Sequence, residues 1–171
     1  MNQEESPGPL VLGIYPSTRG FGFVLLQGPL RPVDWGLRTA QRHKNEVCLK
    51  KVAALIDLYH PKLLVIDDYT GEGSKRCYRI QRLIDRICEL SAQNNVPVLG
   101  YSKGQVQTYF AHYHAKTRHE IAITIATWMP GFLSRLPAKR KPWMSEPSGM
   151  AMFNAIAIVL THYYFQRHIR T

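Results

Sequence analysis

Cysteine is scarce in this sequence, with three in 171 residues. Cys48, Cys77 and Cys88 make no C-x-x-C pair and leave an odd thiol, so they read as small buried residues of a protein kept in a reducing compartment. Acidic residues are also few: 12 Asp and Glu stand against 22 Lys and Arg, a net charge of +10. That excess favours contact with polyanions, of which nucleic acid is the commonest. A long unbroken apolar run is missing. The least polar stretch, Gly149–Phe165, is interrupted by Asn154, Thr161 and His162 and is shorter than a usual membrane span, so it reads as a buried helix. Residues 1–9 (MNQEESPGP) are polar, acidic and proline-containing, the opposite of a signal peptide, and are expected to form a disordered tail. Together these absences predict a soluble, intracellular protein with no membrane partner. There is no internal repeat, no low-complexity segment and no G-x-S-x-G elbow for a serine hydrolase.

What is present is the composition of a folded chain, 45% hydrophobic and 11% aromatic, enough for one domain over residues 10–168. Two apolar runs, Leu10–Ile14 and Phe21–Leu26, are joined by Pro16, Ser17, Thr18, Arg19 and Gly20 and read as a hairpin opening a sheet. Tyr15 falls at the end of the first strand, facing whatever site that strand edge builds. Pro32–Arg38 serves as a short third strand, with Val33, Trp35 and Leu37 on one side. Helical spacing of Val47, Val52, Leu55, Ile56 and Tyr59 predicts a helix over about 45–59, closed by Pro61.

Leu63–Ile66 is too uniformly apolar for a half-exposed strand and reads as a central one, ending in Asp67 and Asp68. A loop, 69–74, leads to a helix over about 75–93 whose seam is Ile80, Leu83, Ile84, Ile87 and Leu90, with Arg79, Arg82 and Arg86 on another face. Val96–Tyr101 follows as a strand, and Ser102 caps a helix to about His112. A helix over 116–128, a basic proline-rich loop over 136–147 and a last helix over 148–168 complete the chain. Three strands followed by alternating helices and strands predict an α/β protein, a mixed sheet covered by helices. That is the order of the ribonuclease H-like fold.

Several short motifs, taken in order, make a specific resemblance. Leu12-Gly13-Ile14-Tyr15-Pro16-Ser17 with Gly20 and Gly22 resembles the opening of the RuvC family of Holliday-junction resolvases, which usually reads L-G-I-D-P-G. Val65-Ile66-Asp67 is similar to the family's fourth strand, which ends in a catalytic Glu. Ser102-Lys103-Gly104-Gln105-Val106 is similar to its following helix start. Ala151–Ile158 with Thr161-His162 resembles its last helix, D-x-x-D-A-x-A-x with T-H downstream. The resemblance spans roughly residues 10–165.

The family's chemistry is two-metal hydrolysis of a phosphodiester, for which clustered carboxylates hold two divalent ions. Matched position by position, this chain departs from it. The first-strand Asp is Tyr15, a phenol with a reference pKa of about 10. The last-helix acids fall on Ala151, which has no ligand atom, and on Asn154, a neutral amide; Asp67 alone keeps a carboxylate at a family position. The resemblance therefore implies a pseudonuclease, an enzyme-derived fold that binds branched or structured DNA, or structured RNA, without cutting it and without a cofactor.

The expected binding residues are Lys139, Arg140 and Lys141 with the ring of Trp143, Arg19 in the hairpin turn, and Lys75, Arg76, Arg79 and Arg82 around the second helix. The loop run is open to reading as a solvated loop, the helix stripe as a surface face or a homodimer contact, since family members pair through helices in that region, and Trp143 as a buried ring. Two alternatives remain. One is a divergent magnesium- or manganese-dependent endonuclease using Asp67 with Asp68, Glu72 or Glu146; Glu46 lies near another acid position of such folds. The other is a scaffold subunit for protein assembly. His112, His114 and His119 with Glu120 fit no standard zinc spacing and read as surface or capping groups.

Overall fold

The computed structural model describes residues 7–169, and the side chains through His168. Residues 1–6 of the expected tail lie outside the described residues, while Pro7–Pro9 carry no regular secondary structure. The opening hairpin is β1 (Val11–Ser17) and β2 (Gly20–Leu26), paired antiparallel from Val11↔Leu26 to Ser17↔Gly20. Its turn is tighter than the sequence suggested: Ser17 and Gly20 belong to the strands, and Thr18 and Arg19 alone make the bend. Next to β2 runs β3 (Pro32–Thr39), antiparallel, and on the other side of β1 runs β4 (Leu63–Asp67), parallel, followed by β5 (Val98–Tyr101). The sheet order is β3-β2-β1-β4-β5. This is the mixed sheet that a meander followed by crossover helices requires, because parallel neighbours need a crossover and antiparallel ones only a turn.

Alternation along the central strands divides the core in two. Leu12, Ile14, Phe23, Leu64 and Ile66 face α1 (Lys44–Tyr59) and α2 (Tyr78–Gln93), where Cys48, Val52, Leu55, Leu83 and Ile87 meet them. Val11, Tyr15, Val24 and Val65 point to the opposite face. That face is covered by α3 (Lys103–Ala111), α4 (Arg118–Trp128), a short 3-10 turn at Pro130–Arg135 and the long α5 (Met150–Ile169). Helix α5 presses onto the sheet at two glycines. A side chain at Gly13 would run into Val159 and the Ala155 carbonyl, and one at Gly22 into the backbone of Ala151 and Met152. Both positions need hydrogen in place of Cβ so that helix and strand backbones can touch.

Several boundaries move. Helix α2 begins at Tyr78 rather than at 75, because Lys75 and Arg76 belong to the loop. Val96 and Pro97 precede β5 rather than join it. Both α3 and α4 start on capping boxes, Ser102 with Gln105 and Thr117 with Glu120, so α4 begins at Arg118 rather than at 116. Pro130-Gly131, just past α4, opens the 3-10 turn that buries Phe132 against Trp35. On the edge strand β3, Val33 and Leu37 are exposed and only Trp35 of the three packs inward. Of the cysteines, Cys48 is buried, Cys88 half-buried and Cys77 exposed, so the uniform buried reading fails at Cys77. Among the described residues, no helix is long and apolar enough to cross a membrane.

Candidate nucleic-acid interface

The C-terminal ends of β1 and β4 lie side by side. Their parallel register runs from Val11↔Leu63 to Ile14↔Ile66, so the next residues bring Tyr15 and Asp67 to one sheet edge, on the α5 side. Both are nearly closed to solvent, at 8% and 7% exposure. In open α/β sheets this carboxyl edge is the usual place for ligands.

What surrounds them is cationic. Arg76, from the loop before α2, has Nε 2.9 Å from Asp67 Oδ2 and its guanidinium 4.5 Å from the centre of the Tyr15 ring. Arg118, at the first position of α4, donates from Nη2 to the Tyr15 hydroxyl at 3.2 Å. Its Nη1 donates to both oxygens of Glu146 at 2.9 and 2.7 Å. Glu146 belongs to the segment between the 3-10 turn and α5, so this ion pair ties that loop to the sheet edge. Two guanidinium groups thus bracket one phenol and two carboxylates.

The protonation equilibria follow from burial and these charges. Burial pushes the Tyr15 phenol above its ordinary value and outweighs the opposing pull of Arg76 and Arg118, so it is neutral near pH 7. The Asp67 carboxyl is also raised. Burial is the largest cause, and it exceeds the lowering by Arg76 and Arg118, with Asp68 adding to the rise. A 2.9 Å ion pair alone suggests the reverse direction. The charge of Arg76 and its hydrogen bond to the carboxylate both lower the value, and the cost of taking the carboxylate out of water still exceeds them.

These residues do not fit a pair of hard dications. Asp67 already faces a guanidinium, Glu146 is engaged by another, Asn154 offers an amide, and Ala151 lies with its backbone against Gly22. Asp68 turns away into an Asx turn, with Oδ1 accepting from Thr70 N at 2.9 Å and Thr70 Oγ1 at 2.6 Å. Glu72 is exposed in the loop, and Glu46 faces Arg86 at 3.7 Å. Among the described residues no three His, Cys, Asp or Glu side chains gather as a metal group. Clustered, unpaired oxygen anions are what magnesium or manganese requires.

The expected cations divide into two sets. Arg76 and Arg79 are committed to holding the end of β1: Arg76 Nη2 donates to the Pro16 carbonyl, and Arg79 Nη2 donates to Ser17 O at 3.4 Å while its Nη1 donates to Asn45 Oδ1 at 3.1 Å. Arg19, Lys75, Arg82, Lys139, Arg140 and Lys141 are exposed. Trp143 is 77% exposed, which removes the buried reading, and Lys141 Nζ lies 5.4 Å from its ring centre. Arg140 donates from Nη1 to the Met144 carbonyl at 2.7 Å, holding the loop tip closed.

Beside Tyr15 and Asp67 opens a cavity of about 560 Å3 between α3, α4, α5 and the 136–147 loop. Lys139 and Arg140 line it, and so do three cations the sequence reading did not single out: Lys103, Lys116 and Arg118. The Thr117-x-x-Glu120 capping box was the available signal, since it fixes Arg118 at the helix start where its side chain reaches the sheet edge. Of the histidines, His119 lines the cavity, whereas His112 meets the Tyr164 hydroxyl at 3.1 Å.

No family model and no curated protein matches the sequence. Solved structures do match in shape. Thermus thermophilus RuvC in complex with a Holliday junction substrate superposes with a TM-score of 0.69 at 17% identity, covering 94% of this chain and 96% of that one. Another structure of Thermus thermophilus RuvC gives a TM-score of 0.68 at 16% identity, covering 93% and 96%. The yeast mitochondrial Holliday junction resolvase Ydc2 gives 0.62 at 12% identity, covering 98% of this chain and 83% of its own. The chain has the RuvC-like, ribonuclease H-like fold that its motifs implied.

Proposed function

We propose that this protein binds branched DNA at the carboxyl edge of its sheet and does not hydrolyse it. The observation that carries this reading is the pair of guanidinium groups, Arg76 and Arg118, bracketing Tyr15 and Asp67. Two-metal hydrolysis needs anions there to hold cations; this chain supplies the cations itself. Anionic backbone replaces the metal as the complementary ligand. Arg19 and Lys75 emerge from the loops that follow β1 and β4, and Lys103, Lys116, Arg118, Lys139 and Arg140 line the adjoining cavity. Phosphates neutralised by these groups release counterions, which supplies affinity, and the shape of the fold supplies preference for a branch point. Likeness in shape to a RuvC bound to a Holliday junction supports the choice of ligand.

The test is retardation of a labelled four-way DNA junction, against a linear DNA duplex and a structured RNA, over a range of salt. The account predicts junction binding that weakens steeply with salt and exceeds duplex binding, with the junction recovered intact after incubation with magnesium. Cut junction, lost in Asp67→Asn, would establish the divergent nuclease instead. Absence of binding to every nucleic acid would leave the assembly scaffold as the function.

A further inference from the structure

The cavity beside Tyr15 is larger than a phosphate needs; at about 560 Å3 it lies in the range of small-ligand sites. Its lining joins two chemistries. Lys116 and Arg118 are cationic, whereas Val106, Ile121 and Ile158 are apolar. A third feature is more specific. Asn154 Nδ2 and His119 Nδ1 are buried without a hydrogen-bond partner among the described residues, and both residues line this same cavity. Buried polar atoms nearly always have a partner, so two orphans on residues of one cavity are donors and acceptors that a polar ligand can satisfy once the amide and imidazole turn toward it. Cation, apolar wall and unpartnered polar atoms correspond to the three parts of a nucleotide: its phosphate, its flat ring and the polar edge of that ring.

We propose that the cavity holds one nucleotide unit, with phosphate on Arg118 and Lys116, base against Ile121 and Ile158, and base edge on Asn154 and His119. The proposal rests on the nucleic-acid reading of this edge and adds that an unpaired nucleotide is what the cavity takes. Glu146 and Arg118 are both partly exposed, so an incoming phosphate can replace the carboxylate on the guanidinium. Extrusion is easiest for a base that has no partner, as at a branch point or a bulge. A free mononucleotide presents the same chemistry, and the two sources are separable.

The experiment has two arms. Adenosine and thymidine 5′-monophosphate are titrated calorimetrically, and fluorescence anisotropy compares a DNA duplex with the same duplex carrying one extra unpaired nucleotide. Two variants are used, each checked for folding by a thermal melt. Asn154→Leu removes the amide, and Ala138→Trp fills the cavity from an exposed loop position without touching the core. The expected result is at least a tenfold gain for the unpaired nucleotide, cancelled in both variants. Saturable mononucleotide binding that is lost in Ala138→Trp supports the cavity with a free nucleotide as its source, even where no nucleic acid binds and the reading of the edge falls. Junction binding without any gain, and without mononucleotide binding, overturns the nucleotide cavity and leaves that reading standing. A gain or a mononucleotide affinity that survives Ala138→Trp also overturns it, because the ligand then sits elsewhere.

Discussion

At the scale of single residues the site is decided by Asp67. Its carboxyl is buried, faces Arg76 at 2.9 Å and nonetheless holds its proton more tightly than an ordinary aspartate, because desolvation outweighs the attraction. Folding thereby raises the proton affinity, and the ionised form costs stability. Wild type is at its best relative to Asp67→Asn below the unfolded carboxyl pKa of about 3.9, and it loses ground as pH rises through the higher folded value. Thermal melts of the two proteins between acid and neutral pH measure this directly. The gap should shift steadily in favour of Asp67→Asn as pH rises; a shift toward wild type would mean that the ion pair dominates after all.

At the scale of elements, the fold turns on where α5 touches β1 and β2. Gly22→Ala places a methyl against the backbone of Ala151 and Met152, which no rotamer change relieves. Its cost should reach or exceed the top of the usual overpacking range of ~1–3 kcal/mol, measured by denaturant unfolding. Gly104→Ala, near the start of α3, meets only Ser102 Oγ at 3.8 Å and should instead stabilise by about 0.4–1 kcal/mol. The strands and helices were legible in the sequence because their signals are local. Leu63–Ile66 is apolar throughout and is buried on both faces, and the seam Ile80, Leu83, Ile84 and Ile87 is closed against the sheet. The start of α2 was not legible, since no side chain caps it and Arg76 is drawn back to Asp67 by a contact that no local pattern encodes.

At the scale of the whole molecule, the charge balance and the fold were readable, while the site was readable only in its missing parts. Tyr15, Ala151 and Asn154 could be placed by motif. Arg118 could not be paired with Tyr15, because 103 residues separate them and only the packing of α4 on the sheet edge joins them. Arg76 could be expected among the cations of the site, but its internal partner Asp67 could not be read from local pattern. The net charge of +10 is thus spread unevenly in its use: Arg76 and Arg79 hold the end of β1, and Lys103, Lys116, Arg118, Lys139 and Arg140 line the cavity.

The central claim is that guanidinium groups stand where a hydrolase of this fold would need carboxylates around divalent ions. Manganese titration of the protein with its junction, followed by electron paramagnetic resonance of the free ion, tests it most directly. The account predicts no saturable manganese site at the protein across the millimolar range, and no difference between wild type and Asp67→Asn beyond what the DNA itself binds. Two protein-dependent ions per chain, abolished by Asp67→Asn, would contradict it.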